Sequence, residues 1–178
     1  MIILPFLFNR GGFLIHKERG VLMSKRIIYG WSDGGCRGNG KKNNIGANAC
    51  YMEYWMDGNL KCKKTISDGE RNTTNNIQEL KGCINLLKAI KNKQIPIIVH
   101  LDSNYVLQGI TNWISNWESK GWVTAKKQPV LNKELWVELN ELKSQFKDIR
   151  FVKVKGHDGE MGNEIVDKLC NEYMDKMQ

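Results

Sequence analysis

Two strand-like runs, residues 26–33 and 97–102, each end in an aspartate, and that coincidence constrains the fold more than any other feature of the chain. The first reads RIIYGWSD and the second IIVHLD, rich in β-branched and aromatic residues and followed by a turn or cap residue. Acids gathered at neighbouring strand ends repel one another. A fold that brings Asp33 and Asp102 together therefore calls for a hard cation between them, and magnesium, which prefers oxygen ligands, fits that need. Taken singly each acid is unremarkable, Asp33 as a turn former before Gly34 and Asp102 as the lead-in to a helix cap at Ser103.

The order of elements around these runs defines the fold class. Residues 45–54 read as a second strand, Asp57 and Gly58 supply hairpin chemistry, and residues 60–67 read as a third. Ile77, Leu80, Ile84 and Leu87 then recur at helical spacing, in a helix that ends before Pro96. After the strand closing at Asp102, Ser103 caps a short helix through Gln108 and Thr111 caps another through Trp117. Leu135, Leu139, Leu142 and Phe146 mark a longer helix, and residues 149–155 a fifth strand. A last helix sets Val166, Leu169, Cys170 and Tyr173 on one face, with Asp167 beside that stripe. The order β-β-β-α-β-α-α-α-β-α predicts an α/β fold, a five-stranded mixed sheet with helices on its faces.

At 178 residues the chain suits one domain, with a core that needs no disulfide or metal staple. Lys and Arg outnumber Asp and Glu by 27 to 19, a net charge of +8 that suits a polyanionic partner. Five cysteines without C-x-x-C spacing argue against a zinc site or disulfide framework and read as reduced thiols in an intracellular, most simply cytoplasmic, protein. Cys83 and Cys170 are expected to be buried on helices. Residues 1–8 are apolar, but no basic stretch precedes them and NRGG interrupts them well short of a membrane span. Residues 1–24 therefore read as a weak organelle-targeting leader or an upstream extension outside the fold, and residues 25–178 as the domain. A membrane partner is not expected.

Residues 35–42, GCRGNGKK, come within one position of a phosphate-binding GxxxxGK[ST] loop. Lys42 stands where a magnesium-ligating hydroxyl is needed, and a strand follows where that loop opens a helix. A sharp turn between two strands is the better reading. At DGGCRGN (33–39), TTNNIQEL (73–80), LDSNYV (101–106), QGITNWI (108–114) and VKGHDGEMGNEIVD (154–167), the chain resembles the type 1 ribonuclease H family. The motifs follow the family's order and span nearly everything from Lys25 onward.

That resemblance implies an enzyme that cuts the RNA strand of RNA–DNA hybrids endonucleolytically, as a monomer. It implies Asp33, Glu79, Asp102 and Asp167 as ligands of two magnesium ions, replaceable by manganese, with Asp102 bridging both, and His157 as a mobile catalytic histidine. Asn39, Asn75, Asn76 and Gln78 fall in motifs that read the RNA 2′-hydroxyl, and an Asn side chain has the donor and acceptor such a reading needs. Cys36 and Tyr105 fall in substrate-contacting motifs as well. Thr74 and Asn132 match positions that grip a DNA-strand phosphate, although Asn72, with Arg71 beside it, stands where family members often carry Arg. Residues 113–127 resemble the family's basic protrusion, in which Trp113, Lys120, Trp122, Lys126 and Lys127 would meet the hybrid. Trp117, one helical turn from Trp113, suits a core position as well as a binding one. A hybrid-binding module with decayed catalysis and a domain cut from a reverse transcriptase are the competing readings; the intact acids disfavour the first, and the absence of polymerase sequence the second.

Overall fold

The computed structural model describes residues 25–155 and 159–178. Three strands open it: β1 (Arg26–Arg37), β2 (Ile45–Met56) and β3 (Asn59–Arg71). Helix α1 (Asn75–Ala89), β4 (Ile97–Leu101) and α2 (Asn104–Gln108) come next, then a π-helical turn (Gly109–Trp113) running into α3 (Ile114–Ser119). Helix α4 (Lys133–Ser144), β5 (Ile149–Lys153) and α5 (Met161–Lys176) complete the chain. The strands form one sheet in the order β3-β2-β1-β4-β5. β2 pairs antiparallel with both β1 and β3, whereas β4 pairs parallel with both β1 and β5, so the expected mixed sheet is present.

Both faces of the sheet are covered, and β2 shows how. Cys50 and Met52 point into a core shared with Leu80, Cys83, Ile84 and Leu87 of α1 and with Trp136 and Leu139 of α4. Ala47, Ala49 and Tyr51, the alternate residues, pack with Trp31 against Val166, Cys170 and Met174 of α5. Leu80, Leu86 and Leu87 have no exposed surface, and each such burial contributes ~1.5–3 kcal/mol. These two cores fix α1 and α5 on opposite faces of β1.

Four expectations need correction. β1 does not end at Asp33, because β2 pairs with it as far as Arg37↔Ile45; what ends near Asp33 is the pairing with β4, whose last partners are Ser32 and Leu101. β3 likewise runs on to Arg71 through its register with β2, and β5 stops at Lys153. Thr111 caps no helix: it lies inside the π-helical turn, its hydroxyl donating to the Leu107 carbonyl at 2.6 Å. Ser103 does cap α2, accepting from the Val106 amide. Residues 1–24 and His157 lie outside the described residues.

One close approach sets the distance between sheet and helix. A Cβ on Gly34 would stand 2.2 Å from the Glu79 amide nitrogen and 2.3 Å from the Gln78 carbonyl carbon. Both obstacles are backbone and cannot swing aside. Gly34→Ala is therefore expected to lower stability by about 3 kcal/mol, at the upper end of overpacking costs, or to push α1 off the sheet. Denaturant unfolding measures the first, and loss of activity in protein that still folds reports the second.

Candidate active site

Parallel pairing of β1 and β4 stops at Ser32↔Leu101, so the next residue of each strand, Asp33 and Asp102, stands beside the other. Glu79 arrives from α1 across the Gly34 contact. Ligand oxygens of these three carboxylates all lie within 4.8 Å of one another. Burial pushes the Glu79 carboxyl up to about 9, and the charges of Asp33 and Asp102 add to that; a hydrogen bond from Asn75 and the charge of Lys153 oppose it. Asp102 accepts from Asn163 Nδ2 at 3.3 Å through Oδ2, while its Oδ1 is buried with no hydrogen-bond partner among the described residues. Its backbone carbonyl accepts from the Lys153 ammonium. Three crowded carboxylates with an unpartnered buried oxygen are what a divalent cation would complete, and the all-oxygen donor set suits a hard ion.

Asp167 stands on α5 outside that group of three. Its Oδ1 accepts from Asn171 Nδ2 at 3.2 Å, and Asn171 Oδ1 in turn accepts from Arg37 Nη2 at 3.2 Å, which ties the acid to the end of β1. All four acids bear on the same buried thiol: Cys170, whose Sγ donates to the Asp33 carbonyl at 3.6 Å, is pushed up by burial and then by Asp33, Glu79, Asp167 and Asp102.

The other candidates gather in two places. At the start of α1, Thr74 is the N-cap, its hydroxyl accepting from the Ile77 amide at 3.3 Å. Asn39 Oδ1 accepts from the Asn75 amide at 3.3 Å, Asn75 Nδ2 reaches Glu79 at 3.4 Å, and Asn76 is exposed. Cys36 is half-buried beside them, its thiol donating to the Thr73 carbonyl at 3.8 Å. Gln78 is different. It has no exposed surface, so its side chain cannot read a hydroxyl of the substrate, and its carboxamide is spent on internal partners. Neither residue near the missing Arg takes its place: the Arg71 guanidinium donates to the Met177 carbonyl, and Asn72 Oδ1 accepts from the Asn43 amide.

The second group surrounds the protrusion. Asn132 Nδ2 and Trp136 Nε1 both donate to the Tyr105 hydroxyl at 3.2 Å, joining two candidate residues to the core. Rings then step outward, with Trp117 5.5 Å from Trp136 and 5.7 Å from Trp113, and Trp122 6.4 Å beyond Trp117. Trp117 is half-buried against the core and Trp113 is 38 % exposed. Lys120, Lys126 and Lys127 are all exposed.

Sequence reasoning passed over Asn163, Asn171 and Lys153. The first two had a signal, since positions 163, 167 and 171 are four apart and share one helix face. Lys153 had none within its own segment; it faces the site because the β4–β5 register sets it opposite Leu101.

A family model for RNase H matches residues 25–175. The chain belongs to the ribonuclease H family. It is 43 % identical over 155 residues to the ribonuclease H of Clostridium botulinum, an alignment covering 86 % of this chain and 98 % of that protein. With the ribonuclease H of Ruthia magnifica it shares 42 % over 155 residues, covering 87 % and 99 %. Among solved structures, the fold resembles LC9-RNase H1, described as a type 1 RNase H with the type 2 active-site motif, at a TM-score of 0.75 and 24 % identity over 88 % of this chain and 75 % of that one. The N-terminal RNase H domain of a Mycobacterium tuberculosis protein, solved as a maltose-binding-protein fusion, matches at a TM-score of 0.56 and 27 % identity, covering 84 % and 94 %. The protein is thus an enzyme of the ribonuclease H class, and the acidic cluster lies within the matched region.

The Glu79 carboxyl gives a pH test with a definite sign. Its folded-state value of about 9 lies above the ordinary 4.5, so between those values the metal-free folded protein binds more protons than the unfolded chain. Stability attributable to this group is full below about 4.5 and is lost as pH rises towards about 9. Thermal unfolding in chelator should therefore show wild type losing stability across that window more steeply than Glu79→Gln. Added magnesium should raise the wild-type melting temperature most at the alkaline end, where protons compete least.

Proposed function

We propose that this chain hydrolyses the RNA strand of RNA–DNA hybrids endonucleolytically, leaving 5′-phosphate and 3′-hydroxyl ends. The observation that carries the reading is the convergence of Asp33, Glu79 and Asp102 within 4.8 Å, in a chain of this family. Asp33, Glu79, Asp102 and Asp167 would hold two magnesium ions, or manganese in their place, with Asp102 shared between them. Such ions, when bound, activate an attacking water and stabilise the leaving oxygen.

The chain's own residues supply the rest. Asn163 and Lys153 hold Asp102 from two sides, one through a carboxylate oxygen and one through the backbone carbonyl. Asn39, Asn75 and Asn76, next to the acids, would read the 2′-hydroxyl that separates RNA from DNA. Thr74 and Asn132 would grip the DNA strand, with Cys36 and Tyr105 lining the path between, and Trp113, Lys120, Trp122, Lys126 and Lys127 would bear on the hybrid beyond. His157 would carry a proton during turnover. A monomer working in a reducing compartment fits five free cysteines, and no helix among the described residues is long and apolar enough to cross a membrane. The family match begins at Lys25, which supports reading residues 1–24 as a leader or upstream extension outside the fold.

Asp102→Asn should reduce hydrolysis of labelled hybrid by more than tenfold, about 1.4 kcal/mol of barrier, while hybrid binding persists; chelator should silence the wild type in the same assay. A variant that keeps a tenth of the wild-type rate would defeat the metal assignment. Binding without cleavage by the wild-type protein in magnesium would favour a hybrid-binding module instead.

The exposed lysines permit a separate test. Replacing Lys126 and Lys127 by Ala should make the log–log dependence of hybrid affinity on salt shallower by about one to two units. The rate at saturating hybrid should hardly change, because the energy of these contacts is shared by ground and transition states. An unchanged slope removes the protrusion from the binding surface.

A further inference from the structure

Gln78 shares a motif with the residues expected to touch RNA, yet it is wholly buried. Its carboxamide uses each face it has. Oε1 accepts from Asn48 Nδ2 at 2.9 Å, and Nε2 donates to Glu70 Oε1 at 2.8 Å and to Thr73 Oγ1 at 2.9 Å. The network runs on from there. Asn85 Nδ2 donates to Asn48 Oδ1 at 2.9 Å, Lys81 Nζ to Glu70 Oε1 at 2.6 Å, and the Thr73 amide to Asn44 Oδ1 at 2.8 Å. Asn48 of β2 and Glu70 of β3 thus meet on one side chain near the start of α1, and two later turns of that helix hold them in turn. The backbone of Gln78 and Glu79 is meanwhile pressed against Gly34 of β1. A buried carboxamide satisfied on all sides has one orientation, since any other leaves a buried polar group unpaired.

We propose that Gln78 is a positioning residue for the reaction. Through Asn48, Glu70 and Thr73 it locks the first turn of α1 to β2 and β3, so that Glu79 enters the acidic cluster while Thr74, Asn75 and Asn76 are held at the start of the same helix. Helix geometry makes these two results inseparable. Asn75 and Glu79 are four residues apart and touch at 3.4 Å, with Gln78 next to Glu79 and itself fixed. A small rotation of this turn would move the carboxylate and the RNA-reading amides together. The inference rests on the reading of Glu79 as a metal ligand.

The test uses Gln78→Met, which keeps length and removes the hydrogen-bonding groups, and the double variant Asn48→Leu, Gln78→Met, which removes both partners of the buried amide pair. Each is assayed at a temperature where circular dichroism shows it folded, for kcat, KM and magnesium affinity of the substrate-free protein by calorimetry. The expected result is a kcat about tenfold lower with weaker magnesium binding in both variants, whether or not the double variant regains melting temperature, because restored packing does not restore aim. Folded Gln78→Met with kcat, KM and magnesium affinity within about twofold of wild type would overturn the proposal, as would a double variant that regains kcat along with stability. Asp102→Asn assayed alongside separates the two readings: activity there defeats the metal assignment itself, whereas its loss beside a fully active Gln78→Met defeats only the positioning role.

Discussion

Mutual repulsion among three carboxylates is the constraint that the rest of this structure answers. Asp33 and Asp102 are forced side by side by the register of a parallel strand pair, and Glu79 is brought within 4.8 Å of them by a helix that lies on bare backbone at Gly34. Burial first, and then the charges of Asp33 and Asp102, push the Glu79 carboxyl up to about 9. The opposing forces come from the two apolar cores, which clamp α1 and α5 against opposite faces of the sheet. Holding three carboxylates together therefore costs stability in the metal-free protein, and a bound cation would offset that cost.

Much of this was readable in the chain, for identifiable reasons. Asp33 and Asp102 were visible because β-branched runs led into them, and α1 and α5 because apolar residues recur at helical spacing. Several features were hidden because they depend on partners distant in sequence. Residues 34–37, rich in glycine, read as a turn, yet β2 draws them into the sheet. Lys153 reaches Asp102 only through the parallel register of β4 and β5. Nothing local in TTNNIQEL says that Gln78 and Thr73 are the buried members of that polar run; the partners of Gln78, Asn48 and Glu70, lie in other strands.

The segment proposed as a protrusion shows the same dependence on packing. Its rings form a continuous series from Trp136, buried in the main core, through Trp117 to exposed Trp113 and half-buried Trp122. Trp117 thus belongs to core and protrusion at once, which is why its spacing pointed both ways. The Lys133 ammonium lies 5.9 Å from the Trp122 ring, placing positive charge on the aromatic platform itself. A surface anchored in this way has little ordering left to do on meeting a partner, which suits the polyanion proposed for it.

The π-helical turn gives that series its phase. Val106, Ile110 and Ile114 are buried at steps of four, a spacing that a regular helix of 3.6 residues per turn would carry steadily around its circumference. The wider turn, closed by the Ile114 amide on the Gly109 carbonyl, absorbs that drift and keeps the three residues in line. It amounts to one residue inserted into an otherwise continuous helix. Removing that residue would rotate everything downstream by roughly 100°, exchanging the ring that faces the core for one that faces water. The aim of the whole protrusion is thus encoded in a local counting irregularity, a place where length changes between relatives would redirect the surface without altering a single residue on it.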